Sequence, residues 1–229
     1  MSQWWAEIVS NFTASFITDN RYMLLLKGIK VTLETSFMAV ILGCIIGLMI
    51  ALCALSKVKV LRGIAKVYTD IIRGTPSVTQ LMIIYFVIFG TSPLPKWIIA
   101  SIAFGINSGA YVSEIIRGGI LSVDSGQNEA GRSLGLNAAQ TMGHIVIPQA
   151  VKNIFPSLCN EFIVLIKETA IVGYICIMDI QKAGDFIKTA TFKPLFPLIG
   201  TAVIYFVIVK ILTLLLGILE RKLRKSDRR

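Results

Sequence analysis

The run TSFMAVILGCIIGLMIALCAL, from Thr35 to Leu55, contains no charged residue. A helix of about 20 mostly apolar residues crosses the hydrocarbon core of a bilayer. In lipid a backbone must close its hydrogen bonds on itself, so a run of this length and apolarity is read as a transmembrane helix. Gly43 and Gly47 stand at GxxxG spacing within it, which leaves a face that a second helix can approach closely. The helix is expected to start earlier, near Tyr22, with Lys27, Lys30 and Glu34 along one side.

The rest of the chain keeps to the same solvent. Its 229 residues are 55% hydrophobic and 16% charged, which excludes an ordinary soluble domain. Further spans are expected over 64–90, with a kink at Pro76, and over 95–119, 154–178 and 195–219. The turns between them are basic (SKVKVLRGIAK), short (TSPLPK) or polar (DIQKAGDFIKTATFKP), and the chain ends on the basic tail ERKLRKSDRR. The expected fold is therefore an all-α membrane protein of five transmembrane helices. Residues 1–20 form no span. Trp4, Trp5, Ile8, Phe12 and Phe16 recur at helical steps, so this segment is either an amphipathic helix at the interface or an irregular terminus. No basic region precedes an apolar one here, so no cleavable signal peptide is expected.

The net charge of +10 raises nucleic acid as a partner, but no aromatic-basic patch or binding motif accompanies it. Its distribution along the chain fits a membrane protein better. With the N-terminus outside, segments 56–66, 117–152 and 220–229 are cytoplasmic and hold 13 Lys and Arg, against 7 in the outside segments. Basic residues gather on the cytoplasmic side, so the expected orientation is N-out and C-in. Cys44, Cys53, Cys159 and Cys176 sit among apolar residues without CxxC spacing and are read as packing residues. His144 is the single histidine, and no metal site is expected around it.

One long polar segment, NEAGRSLGLNAAQTMGHIVIP from Asn128 to Pro148, falls on the cytoplasmic side. Ser125 can cap a short helix carrying Asn128 and Glu129 in its first turn. Gly135 can end that helix. Asn137 and Gln140 have the spacing of a capping box for a second helix, and Pro148 marks the start of the next span. The expectation is two short helices joined by a tight turn, a handle for another protein.

This handle resembles the EAA loop of bacterial ABC-importer permeases, E-A-A-x3-G-x9-I-x-L-P. Glu129, Ala130, Gly131, Gly135, Ile145 and Pro148 match it, with Gly131 in place of the second Ala and Ile147 in place of the Leu. RGTPSVTQL at 73–81, NSGAYVSEIIRGGI at 107–120 and NEFIVLIKETA at 160–170 resemble the second, third and fourth spans of the permeases for polar amino acids, the histidine, arginine, glutamine and cystine type. The resemblance runs from Gly28 to the basic tail, which makes 21–229 the permease domain and leaves 1–20 outside it. It implies a multi-pass inner-membrane protein that dimerises with an identical or related permease. It implies a loop that docks on a cytoplasmic ATPase dimer, and an extracellular binding protein that delivers the amino acid. No GxxxxGK[ST] loop is present, so no cofactor is expected in this chain, and ATP and Mg²⁺ would be bound by the ATPase.

Ionisable residues at membrane depth are costly and mark function by default. Asp70 with Arg73, and Glu114 with Arg117, are three apart and can neutralise each other along a helix. Glu161, Lys167 and Glu168 lie on the fourth expected span. A zwitterion needs a cation for its carboxylate and an anion for its ammonium, which Lys167 and Glu168 can supply. The alternative is an ion pair closing the helix bundle, with Lys210 on the fifth span as a further partner or a snorkelling side chain. A substrate site lined by Thr75, Asn107, Glu161, Lys167 and Glu168 is the expectation. HExxH and GxSxG are absent, so no enzyme is expected. The alternatives are a permease for methionine or a peptide, and a channel that needs no energy.

Overall fold

A computed structural model describes residues 2–225, so the last four residues of the basic tail lie outside the described residues. The described residues form ten α-helices joined by short π and 3₁₀ turns. At the centre lie α2 (Tyr22–Leu55) and α5 (Lys96–Leu121). The buried face of α2 is a stripe of small residues: Gly28, Thr32, Thr35, Ser36, Ala39, Gly43, Gly47 and Ala51. Its glycines and those of α5 fit each other. A Cβ on Gly47 would sit 2.5 Å from Val112 Cγ1, and one on Gly43 3.0 Å from the Ser108 Cβ. In return, a Cβ on Gly105 would sit 2.6 Å from the Leu42 Cβ, and one on Gly109 2.7 Å from Ile46 Cγ2. The expected GxxxG face is thus one side of a close backbone approach, where small residues replace hydrophobic driving force. Around it Leu81, Ile84, Ile99, Phe104, Leu165 and Val172 form the main apolar core.

The second expected span is broken more sharply than a kink. α3 (Lys59–Arg73) and α4 (Ser77–Met82, continued by a π turn to Ile88) meet at 103° across Gly74–Pro76. Pro76 has an extended backbone, φ −64° and ψ 134°. It offers no N–H, and it pushes the residue before it out of the helical region.

Three further corrections concern local structure. Asp124, not Ser125, caps α6 (Ser125–Ser133), accepting from the Gly126 N–H at 2.8 Å. The fourth expected span starts earlier. α7 (Ala138–Thr141) runs through a π turn into α8 (Ile147–Glu168), and only a 3₁₀ segment, Thr169–Ile175, follows. The expected polar loop after it is α9 (Ile180–Thr191), whose Ile180, Ala183, Gly184 and Ile187 are buried at helical steps. Asp179 caps α9 through the Gln181 and Lys182 N–H groups, at 3.2 and 2.9 Å, and also accepts from the Tyr205 hydroxyl at 3.1 Å. A Cβ on Gly28 would come within 2.7 Å of the Asp179 backbone, so this corner clamps α2, α9 and α10 (Leu195–Lys225) together.

The N-terminal segment is helical: α1 (Ser2–Phe12) leaves Trp4 and Trp5 exposed. The Phe12 ring meets Phe16 and Phe196 edge-on, and Phe16 fills the space above Gly200 on α10. Cys44, Cys53 and Cys159 are half-buried as packing residues, but Cys176 is exposed and ends the 3₁₀ segment at φ 57°. Among the described residues, Tyr22–Leu55, Lys96–Leu121 and Leu195–Lys222 are each long and apolar enough to cross a membrane, and the bent α3–α4 pair makes up to four.

Candidate functional site

At the break between α3 and α4, the backbone left open by Pro76 is closed by a side chain. The Gln80 amide donates to the Ile72 and Thr75 carbonyls, at 2.8 and 3.2 Å, and to Thr75 Oγ1 at 2.7 Å. Its own oxygen accepts from Asn107 Nδ2 on α5 at 2.8 Å. Next to Asn107, the Ser108 hydroxyl donates to Glu161 Oε1 on α8 at 2.9 Å. Three separate elements therefore bring Thr75, Gln80, Asn107, Ser108 and Glu161 into one polar strip through an apolar bundle. Gln80, Asn107 and Ser108 are buried, so losing one partner strands another, at about 1–3 kcal/mol. The Tyr68 hydroxyl donates to the Ile106 carbonyl at 2.5 Å and fixes α3 against α5 beside this strip.

Three of the five expected substrate residues, Thr75, Asn107 and Glu161, lie in the strip. Lys167 is exposed and Glu168 half-buried, and among the described residues the side chain of neither joins a hydrogen bond or an ion pair. Lys210 is exposed on α10 and pairs with neither Glu161 nor Glu168. Gln80 and Ser108 went unnamed in the sequence. A lone amide in the apolar run after RGTP was their available signal. Asp70 and Arg73 do not pair. Arg73 reaches across to Glu114 at 3.9 Å, while Glu114 accepts two hydrogen bonds from Arg117, at 3.1 and 2.7 Å.

At the other end of α5 the handle projects from the bundle. Glu129 and Ala130 are exposed on α6, and Leu134 is 81% exposed. Gly135 makes the turn at φ 86°, a left-handed conformation that glycine adopts without a Cβ penalty. Asn137 and Gln140 form the expected capping box, each bond 2.9 Å. Gly131 is buried where α6 lies on the next segment: a Cβ there would meet Thr141 Cγ2 at 2.7 Å and Ile145 Cδ1 at 2.8 Å. The departure from the second Ala of the motif fits this packing, since an added Cβ would have to displace both side-chain methyls. Gly135 has nothing within 4 Å, so its constraint is backbone conformation alone. Gln149 ties the handle to α8, donating to Gln127 Oε1 at 3.2 Å. Pro148 is the second residue of α8, directly after the π turn.

An apolar helical bundle with a polar strip inside and an exposed helical knob at one end is the arrangement of a membrane transport component. The chain belongs to the family of binding-protein-dependent transport system inner membrane components, whose model matches residues 39–225. It is 42% identical over 206 residues to the putative glutamine transport system permease protein GlnP of Rickettsia bellii, covering 89% of this chain and 94% of that one. It is also 42% identical over 206 residues to the arginine transport system permease protein ArtQ of Bacillus subtilis, with the same coverage. A solved amino acid ABC transporter with histidines shares 44% identity at a TM-score of 0.83, over 90% of this chain and 98% of that one. The inward-facing MetNI methionine ABC transporter shares the fold at a TM-score of 0.75 and 19% identity, over 88% of this chain and 96% of that one. The chain is a multi-pass inner-membrane permease component.

Proposed function

We propose that this chain is the membrane-spanning subunit of an ATP-driven importer for a polar amino acid, with residues 21–229 as its permease domain. Five spans, N-out and C-in, are α2, the broken α3–α4 pair, α5, α8 with its 3₁₀ extension, and α10. The handle 124–148 docks on a cytoplasmic ATPase dimer that binds ATP and Mg²⁺. Glu129 and Ala130 lie on its exposed face, and Gly131, Gly135, Ile145 and Pro148 hold its shape. A second permease, identical or related, completes the passage, and an extracellular binding protein supplies the substrate. The chain has relatives named for glutamine, arginine and cystine transport, which favours a polar amino acid over methionine or a peptide.

The observation that carries this reading is the partly buried polar strip in which Thr75 and Asn107 are linked through Gln80, and Glu161 is bonded to Ser108, the residue after Asn107. Broken-helix backbone at membrane depth is tolerated where it lines a cavity or is buried in protein, and the strip supplies carbonyls, amides and a carboxylate to a zwitterion. Glu161 and Glu168 offer anions to the ammonium, and Lys167 a cation to the carboxylate. Glu161→Gln and Glu168→Gln keep shape and remove charge. A lost charge-assisted hydrogen bond costs about 1.5–3 kcal/mol, roughly ten- to a hundred-fold in affinity. Normal melting with uptake impaired by that factor supports the site. Normal uptake with lowered melting makes these carboxylates structural and refutes it.

A further inference from the structure

The α3 helix carries three distinct faces. Ala65 and Thr69 are buried against the bundle. Val60, Ile64, Val67 and Ile71, at steps of four, three and four, are 69%, 56%, 59% and 57% exposed. Arg62, Lys66, Asp70 and Arg73 form a third row, which with Glu114 and Arg117 lines a cavity of about 280 Å³. Glu114 is committed to Arg117 and reaches Arg73. Arg73 also lies 5.5 Å from the Tyr111 ring centre. Arg62 and Lys66 have no ion-pair partner among the described residues. Four cations against two carboxylates leave the cavity with a net charge of about +2, an arrangement that favours an anion with several oxygen acceptors. Gly63 lies between the charged row and the apolar row, with nothing within 4 Å of where a Cβ would stand.

We propose that this cavity binds the phosphate of an anionic phospholipid in the cytoplasmic leaflet, with its acyl chains lying along Val60, Ile64, Val67 and Ile71. A cationic pocket beside an exposed apolar stripe on one amphipathic helix complements an anionic headgroup and its tails. A free phosphate shares the headgroup chemistry but uses only the charged half of the site. The placement rests on the N-out orientation, which cysteine labelling reads separately.

The test uses the full-length protein in phosphatidylcholine nanodiscs, titrated with fluorescent phosphatidylglycerol, with inorganic phosphate as competitor. A local ion pair between an exposed side chain and a phosphate is worth up to about fivefold in binding, so Arg62→Gln with Lys66→Gln should weaken phosphatidylglycerol by roughly ten- to thirty-fold. Lys57→Gln with Lys59→Gln, exposed charges outside the cavity, should change it less than about threefold. Ile64→Ser with Val67→Ser should weaken lipid binding while keeping the Arg62 and Lys66 dependence. Equal loss in the Lys57/Lys59 variant would show diffuse surface charge and overturn the site. Unchanged binding in the Arg62/Lys66 variant, with normal melting, would also overturn it. Displacement by millimolar phosphate, with no effect of the serine substitutions, would make the occupant a soluble anion and overturn the lipid assignment.

Discussion

Gly131→Leu isolates the handle from the bundle that carries it. Gly131 is the buried residue of α6, and a Cβ at this position already lies 2.7 Å from Thr141 Cγ2 and 2.8 Å from Ile145 Cδ1. These distances are closer than carbon atoms tolerate, and the leucine adds three further carbons beyond Cβ. Overpacking of this kind costs about 1–3 kcal/mol. α6 has only nine residues, and its ties to the body are few, among them the Gln127–Gln149 bond. It will therefore relieve the clash by lifting away, at less cost than displacing α7 and α8. The α2–α5 core lies elsewhere and should keep its melting temperature within about 2 °C of wild type. The assay is ATPase activity in proteoliposomes with and without loaded binding protein. Stimulation should fall by at least tenfold while basal ATPase activity persists. Wild-type stimulation in a correctly inserted Gly131→Leu protein would refute the claim that the geometry of this loop couples the two subunits.

Three further outcomes follow from the same contacts. Asn107→Leu strands the Gln80 oxygen and Gln80→Leu strands the Asn107 amide. A thermal double-mutant cycle should give a coupling energy of about 1–3 kcal/mol, and additive effects would break the proposed strip. Burial pushes the Asp179 pKa above the usual carboxylate range, against the hydrogen bonds from the Lys182 and Gln181 N–H groups and the Tyr205 hydroxyl. A raised acid stabilises the fold most below its unfolded pKa of about 3.9 and loses that contribution as pH rises through its folded value. Melting should therefore decline as pH rises from the unfolded value through the raised folded one, and Asp179→Asn should flatten that decline. In a cysteine-free background, Thr189→Cys should label from outside and Ser133→Cys only from inside, and the reverse pattern would invert the orientation.

Several of these contacts were visible in one sequence because they arise from local rules. The Asn137–Gln140 capping box, the positive φ of Gly135 and the close approach at Gly43 and Gly47 each need only residues a few positions apart. The amphipathic steps of α9 were present in the sequence as Ile180, Ala183, Gly184 and Ile187, but the polar residues between them read as a loop. Asp124 and Ser125 are both good caps, and only the helix start decides between them. Long-range pairings are different in kind. Gln80 meets Asn107, and Ser108 meets Glu161, across 27 and 53 residues, and no periodicity fixes such partners. Arg73 turns from Asp70 to Glu114 for the same reason: the break at Pro76 and the crossing of α3 over α5 set the geometry.

The central claim is that this chain passes a polar amino acid inward at the expense of ATP. The direct measurement is uptake of radiolabelled arginine, glutamine, histidine and cystine, beside methionine and a dipeptide, into proteoliposomes. They would hold this permease, its partner permease where one is needed and its ATPase, with binding protein outside and ATP inside. The account predicts saturable, ATP-dependent accumulation of at least one of the four polar amino acids above its outside concentration. It also predicts that Gly131→Leu abolishes this accumulation. Accumulation of methionine or the dipeptide alone, or flux that merely equilibrates and ignores ATP, would contradict it.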